Sequence, residues 1–377
     1  MNLQTFNRGG IHPPDGKALA KDKPIQILMP KEGSLLVYPM SQHIGAPCEP
    51  IVAKGDRVLV GQKIAEAGGF VSAPIHASVS GTVKDIKPMA TPSGAMVKSI
   101  IIENDGLYEE DPSIGKDTDY ESFSNEKILE KVKEAGIVGL GGAGFPAHVK
   151  LGTDLGGTGF PTHVKLNPPK DCKIDTVIVN GAECEPYLTT DYRLLMEQPE
   201  KVVKGLEIIL KLFPDATGYI AIENNKPDAI EKVVKTVGNN PRIKVLALMT
   251  KYPQGSEKQL INAVTGREVP SGALPANAGC IVDNVDTVVA IETAVCEDRP
   301  LMRRIVTLTG DAANNPGNYE IRIGMNMNEL IEMAGGLNND ADISQINLAY
   351  ILEDGMKITI PNKNEKKENN NENSNVI

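Results

Sequence analysis

From residue 176 to the region of Ser256 the chain alternates between strand and helix patterns, and this restricts its fold more than any other feature. TVIVN (Thr176–Asn180) is a short apolar run of strand length. Pro199 then opens an amphipathic helical pattern through Leu206, Ile209 and Leu210. GYIAIE (Gly218–Glu223) is a second strand, followed by a helix from Pro227 to Val237. IKVLAL (Ile243–Leu248) is a third, followed by a helix starting near Ser256. Near-continuous apolar strands at this spacing imply a parallel sheet covered on both faces. Ligands of such sheets sit at the carboxyl ends of the strands. The polar clusters NGAECEPY, ENNKPDA and KYPQGSEKQ fall there.

Just upstream lies a doubled glycine loop. LGGAGFPAHVKL (Leu140–Leu151) and LGGTGFPTHVKL (Leu155–Leu166) differ only at Ala143/Thr158 and Ala147/Thr162. Glycine lets backbone approach a ligand closely and adopt φ > 0, which leaves N–H groups free to point at phosphate or flavin oxygens. A following helix start and a lysine add positive potential. One anionic cofactor needs only one such loop. The first copy retains Gly139 where the second has Asp154, so the first is the expected binding copy.

Composition narrows the options further. A formal charge of −10 leaves no general basic footprint for nucleic acid, so phosphate binding has to be local. No run approaches the length of a membrane span, and the N-terminus lacks the apolar stretch of a secretory signal, which points to a cytoplasmic protein. Cys48, Cys172, Cys184, Cys280 and Cys296 are scattered, and no histidine shows metal spacing, so no metal site is expected. Only Cys184 lies in a candidate site. His148 and His163, beside the glycine loops, read as structural rather than as catalytic bases, and no catalytic side chain is assigned.

Residues 35–105 read as short strands with turns, in two facing half-motifs (Val52–Ala67 and Ala73–Pro88) similar to the barrel-sandwich fold of biotinyl and lipoyl carriers. The hairpin tip GGFVSAPIHAS carries no lysine, so a carrier role is not expected. Glu103–Ser122 is polar and linker-like. Beyond it Ser124 caps a helix carrying Ile128, Leu129 and Val132, ended by Gly136. From Arg303 two strands, a Pro-Gly turn and a short helix suggest a small β-grasp-like module ending in MKITIP (Met356–Pro361). The Asn-rich tail from Asn362 is expected to be disordered.

GGIHPP (Gly9–Pro14), SQHIGAP (Ser41–Pro47), SAPIHASVSGTV, the glycine loop and NGAECEPYLTTDYRLL (Asn180–Leu195) together resemble the RnfC (RsxC) subunit of the Rnf/Rsx electron-transport complex, over roughly residues 5–335. The middle region is also similar to the NADH-binding flavoprotein subunit of respiratory complex I. The resemblance implies a multidomain α/β protein: a barrel-sandwich β domain (1–105), a linker (106–122), a Rossmann-like FMN/NADH-binding domain (123–300), an SLBB β-grasp domain (301–361) and a tail (362–377).

It also implies FMN as cofactor, NAD(H) as substrate, and other subunits of a membrane electron-transport complex as partners. The location would be cytoplasmic, peripheral to the inner (plasma) membrane. Carried over by position, Gly139, Gly141, Gly142, Gly144 and Lys150 would contact FMN, with the lysine near the isoalloxazine or phosphate. Asn180, Glu183 and Glu185 would line the flavin and nicotinamide pocket, the carboxylates accepting hydrogen bonds from ribose or nicotinamide. Tyr252, Gly255 and Glu257 would help to close the site. Asn284 and Thr287 would hold the FMN phosphate, as amide and hydroxyl donors can.

The chain departs from that family in two ways. RnfC-type subunits continue past the SLBB domain into two cysteine-rich motifs for [4Fe–4S] clusters. None follows Gly335-Gly336 here, where the sequence looks more like the SLBB unit of DNA-uptake proteins of the ComEA type, so no iron–sulfur cluster is expected in this chain. The glycine loop is also duplicated. Two alternatives to the membrane-complex role therefore stand: a soluble RnfC-like protein serving a corrinoid or amino-acid reductase, and a non-catalytic docking protein with a degenerate flavin site.

Overall fold

A computed structural model describes residues 3–91, 94–142, 144–152, 173–344, 346–348, 350–352 and 356–363. The second glycine copy, with His163, Cys172 and the tail beyond residue 363, lies outside the described residues.

The N-terminal part carries β1 (Gln26–Leu28), β2 (Leu35–Pro39), β3 (Glu49–Pro50), β4 (Arg57–Val58), β5 (Lys63–Glu66), β6 (Ile75–His76), β7 (Gly81–Ala90) and β8 (Met96–Asn104). All but β1 form two antiparallel sheets, ordered β2-β8-β7-β4 and β3-β5-β6. Their alternation buries Leu36, Tyr38, Ile64, Val83, Ile100 and Ile102 between them. The segment after β8 is tied down at both ends. Val60 N–H donates to Glu109 O, and Thr118 N–H donates to Cys296 O.

The central part has α1 (Asn125–Glu134), α2 (Ala147–Leu151), β9 (Thr176–Gly181), α3 (Thr190–Glu197), α4 (Pro199–Leu212), β10 (Thr217–Glu223), α5 (Pro227–Val237), β11 (Ile243–Leu248), α6 (Glu257–Thr265), β12 (Cys280–Asn284) and α7 (Val285–Cys296). Every pairing in its sheet is parallel, in the order β11-β10-β9-β12. Val177, Val179, Ile220 and Ile222 face a core shared with α4, α7 and the N-terminal sheets. Ile178, Ala221 and Leu248 face the opposite way, against Leu260 and Ile261 of α6. The chain steps outward from β9 to β10 and β11, then returns to the far side of β9 as β12. The crevice where an open α/β sheet takes a ligand therefore lies between the ends of β9 and β12.

β13 (Arg303–Thr309), β14 (Gly317–Arg322), α8 (Met327–Met333) and β15 (Lys357–Thr359) build the last part around a separate apolar core. Its sheet, β1-β14-β13-β15, is completed by the N-terminal strand β1, which pairs in parallel with β14. The three parts are also joined by buried polar contacts. Thr189 donates from Oγ1 to Asn318 Oδ1 at 2.7 Å, and Asn318 Nδ2 donates to Ala20 O at 2.9 Å.

Helices α4 and α7 touch through Gly205, where an added Cβ would stand 2.2 Å from Val288 O. Gly205→Ala must push the helices apart, and overpacking of this kind costs about 1–3 kcal/mol. Urea unfolding should show a lowered midpoint with an unchanged slope; an undiminished midpoint would contradict this packing. In β6, burial pushes the His76 imidazole down to about 3 from 6.5, with Lys63 adding to the effect. Below pH 6.5 the unfolded chain therefore takes up a proton that the fold refuses. This contribution to stability is complete above pH 6.5 and declines as pH falls toward 3. His76→Gln should flatten that acid slope in denaturation measured at pH 5 and pH 7, and an unchanged slope would count against the buried neutral imidazole.

Candidate functional site

Asn180 is the last residue but one of β9, Asn284 ends β12, and the two are register partners across the switch point. Asn284 is also the N-cap of α7: its Oδ1 accepts from Asp286 N–H at 2.8 Å while its Nδ2 donates to Asp191 Oδ2 at 2.7 Å. Asn180 Nδ2 donates to Gly255 O at 2.8 Å, which ties the end of β9 to the loop entering α6. A strand end, a helix N-terminus and a loop thus meet through two amide side chains.

The first glycine copy hangs over this junction. The loop is closed by Gly139 N–H donating to Phe145 O at 2.8 Å, and Thr287 Oγ1 anchors it by accepting from Leu140 N–H at 2.8 Å. Gly141 and Gly144 have φ of +78° and +66°, the region that glycine occupies without strain. A Cβ on Gly141 would lie 2.9 Å from Asn284 Nδ2, so backbone reaches the strand end only because no side chain intervenes. The N–H groups of Gly142 and Gly144 have no hydrogen-bond partner among the described residues.

Beneath the loop is a cavity of about 430 Å³, within the usual range for small-molecule sites. Leu140, Phe145, Val149, Pro275, Ile281 and Val282 give it an apolar wall, and Asn180, Glu257, Asp283, Asn284 and Thr287 give it polar groups. A smaller cleft of about 130 Å³ adjoins it, sharing Gly141, Asn180, Gly255 and Asn284, and is walled by Glu183, Cys184, Glu185 and Leu188. Lys150 lines the larger cavity but is held to the strand, donating to Val282 O at 2.7 Å and Asp283 Oδ1 at 3.1 Å. Burial alone would lower its pKa; the carboxylates of Asp283 and Glu257 outweigh that and raise it. Partial burial raises the Glu257 carboxyl in turn, against the pull of Lys150.

The structure brings together the five glycine-loop residues with Asn180, Glu183, Glu185, Gly255, Glu257, Asn284 and Thr287. It leaves Tyr252 outside both cavity walls, its backbone paired with Ile11 and its side chain open to solvent. Asn284 and Thr287, expected as phosphate ligands, here fix the loop and the helix cap; the Thr287 hydroxyl keeps its own proton to donate. Glu183 is turned inward, its Oε1 accepting from Asp191 N–H at 2.7 Å and Tyr192 N–H at 3.4 Å in the first turn of α3. Glu185 stays at the rim, 3.3 Å from Lys357 Nζ.

Sequence reasoning missed β12, because CIVDN runs into α7 with no intervening turn residue. It also missed the buried charges Lys17, Glu223 and Lys226, of which Lys17 and Lys226 hold the backbone of residues 182–188. Lys226 Nζ donates to Ala182 O at 2.7 Å and lies 3.6 Å from Glu223 Oε2. No local pattern announces such partners, which are set by tertiary structure.

Three domain families match successive parts of the chain. The RnfC barrel sandwich hybrid domain family matches residues 5–107, the Nuo51 FMN-binding domain family residues 153–293, and the SLBB domain family residues 305–361. The Nuo51 match begins just before the second glycine copy, whereas the structure seats the first copy over the sheet. The chain is 49% identical to the C subunit of the Na(+)-translocating ferredoxin:NAD(+) oxidoreductase complex of Acetobacterium woodii, across 90% of this chain and 73% of that protein. It belongs to the RnfC family. The proton-translocating counterpart in Clostridium ljungdahlii is 45% identical across 90% of this chain and 70% of that protein. The C subunit of the ion-translocating oxidoreductase complex of Haemophilus influenzae is 38% identical across 87% of this chain, and the match spans only 48% of its own length. Among solved structures, the NAD+-reducing [NiFe]-hydrogenase in the H2-reduced state shares the fold over 65% of this RnfC-family chain and 48% of its own, with a TM-score of 0.51 at 20% identity. Among the described residues no helix is long and apolar enough to cross a membrane.

Removing the Thr287 acceptor should loosen the glycine loop. Thr287→Val is expected to cost about 1 kcal/mol and to speed amide hydrogen exchange at Leu140, while Thr287→Ser retains protection. Equal exchange in wild type and the valine variant would show that the loop does not depend on this bond.

Proposed function

We propose that this chain binds FMN in the larger cavity and exchanges electrons with NAD(H) through it, as an electron-transfer subunit of a membrane-associated Rnf-type oxidoreductase complex. The observation that carries this reading is the glycine loop closing over the paired ends of β9 and β12, above a cavity with one apolar wall and converging polar groups. The residues present suit a flavin nucleotide. The N–H groups of Gly142 and Gly144, unpartnered among the described residues, offer donors to anionic or carbonyl oxygens. The N-terminus of α7 adds positive potential where Asn284 and Thr287 meet the loop. The apolar wall excludes water from a planar ring, and Asn180 supplies amide groups at its edge.

FMN, when bound, supplies the chemistry of accepting a hydride and releasing its electrons singly. This chain's residues position and desolvate. Gly141 and Gly144 let backbone contact the ligand, Thr287 keeps the loop in place, and Lys150 neutralises Asp283 at the cavity wall. The smaller cleft takes the nicotinamide end of NAD(H), with Glu185 at its rim available to accept hydrogen bonds from ribose or amide. In this reading the central part is a Rossmann-like domain and the last a β-grasp SLBB domain. Other members of the complex hold the chain peripherally at the membrane and receive its electrons.

Purified protein incubated with FMN and desalted should retain flavin absorption bands that NADH bleaches under anaerobic conditions. A colourless preparation after reconstitution would overturn the assignment. Gly141→Val, which sets a side chain against Asn284 at φ +78°, should weaken FMN retention by about tenfold or more.

A further inference from the structure

Two of the four non-glycine residues with positive φ among the described residues, Glu183 (+49°) and Tyr187 (+71°), lie in the loop that walls the smaller cleft. Such backbone is strained and persists only where its surroundings impose it. The imposing element is the N-terminal segment, distant in sequence. Lys17 Nζ donates to Glu183 O and Glu185 O at 3.0 Å each and to Leu188 O, and lies 3.6 Å from Glu183 Oε2. The ammonium has three protons, and three carbonyls of one loop receive them. Lys17 is only 5% exposed, so these contacts replace its hydration. Next to it Tyr187 N–H donates to Asp15 O at 2.6 Å, and the Tyr187 ring covers Gly16, where a Cβ would stand 2.3 Å from the ring.

The loop gathered by Lys17 carries Glu183, Cys184, Glu185 and Leu188, which together wall the cleft of about 130 Å³. The larger cavity shares with that loop none of these four residues. We infer that Lys17 is a positioning residue for the pyridine nucleotide: it fixes the curvature of loop 183–188 and so the place of Glu185, while FMN binding is independent of it. This rests on the FMN and NAD(H) reading above. Glu183 acts within the same device, since its carboxylate joins the Lys17 ammonium to the first turn of α3. The N-terminal segment is thereby a working part of the nucleotide site, although it belongs in sequence to the barrel-sandwich match at residues 5–107.

Two variants test this in the full chain reconstituted with FMN. Lys17→Met keeps the aliphatic stem and removes the three bonds; Lys17→Arg keeps the charge on a planar head that cannot serve three converging carbonyls equally. Lys17→Met should raise the KM for NADH, and the Kd for NAD+ by equilibrium titration, about tenfold or more. FMN affinity measured by fluorescence titration of the apo-protein should stay near wild type, as should the bleaching rate at saturating NADH. Lys17→Arg should fall between the two. An unchanged NADH KM in Lys17→Met would overturn the inference, as would parallel loss of FMN and NAD+ binding, the mark of general collapse. Should Lys17→Met fail to fold, a wild-type KM in Lys17→Arg would overturn it equally. Failure of wild-type protein to bind FMN would instead strike the underlying reading, a separate outcome.

Discussion

The site depends on one constraint: β12 must pair with β9 on the side away from β10. That reversal opens a crevice at the sheet's carboxyl edge, and it places Asn284 opposite Asn180. From Asn284 the polypeptide turns directly into α7, so a helix N-terminus points into the same space without a linker. Thr287, in the first turn of that helix, then holds the glycine loop by a single backbone N–H. Remove the β9–β12 pairing and the loop has no anchor, the asparagines do not meet, and the cavity has no floor.

The outer parts of the molecule serve this edge in different ways. The N-terminal sandwich shares its apolar core with the face of the sheet that carries α4 and α7, and so steadies it. The C-terminal sheet borrows β1 from the N-terminal segment and reaches the strand-end loop through Thr189 and Asn318. Residues 9–17, ahead of β1, pair with Tyr252 through Ile11 and hold loop 183–188 through Asp15 and Lys17. Modules that are separate in sequence are therefore interlocked around a site that belongs, by its strands, to the central one. Buried polar contacts at Lys17, Thr189 and Asn318 make several of these joins.

Much of the sheet was legible in the sequence because its signals are local. Thr176–Asn180, Gly218–Glu223 and Ile243–Leu248 are apolar runs of strand length, and Pro199 and Pro227 mark helix starts, where a missing N–H costs nothing. The glycine loop was legible for a similar reason, since close approach and positive φ demand that residue type. β12 was not, because Asn284 ends the strand and caps the helix at once, leaving no turn between them. Nor was the inward rotation of Glu183, whose partners Lys17 and Asp191 are fixed only by tertiary packing. The family resemblance supplied the residue types of the site; the structure adds that Thr287 and Glu183, besides lining its cavities, hold the backbone of their walls.

The most direct test is a crystal structure of the chain with FMN. The isoalloxazine should lie in the cavity beneath residues 139–145, over the ends of β9 and β12, with flavin or phosphate oxygens within hydrogen-bonding distance of the Gly142 and Gly144 N–H groups. A flavin bound elsewhere on the molecule, with that crevice left closed, would contradict the account.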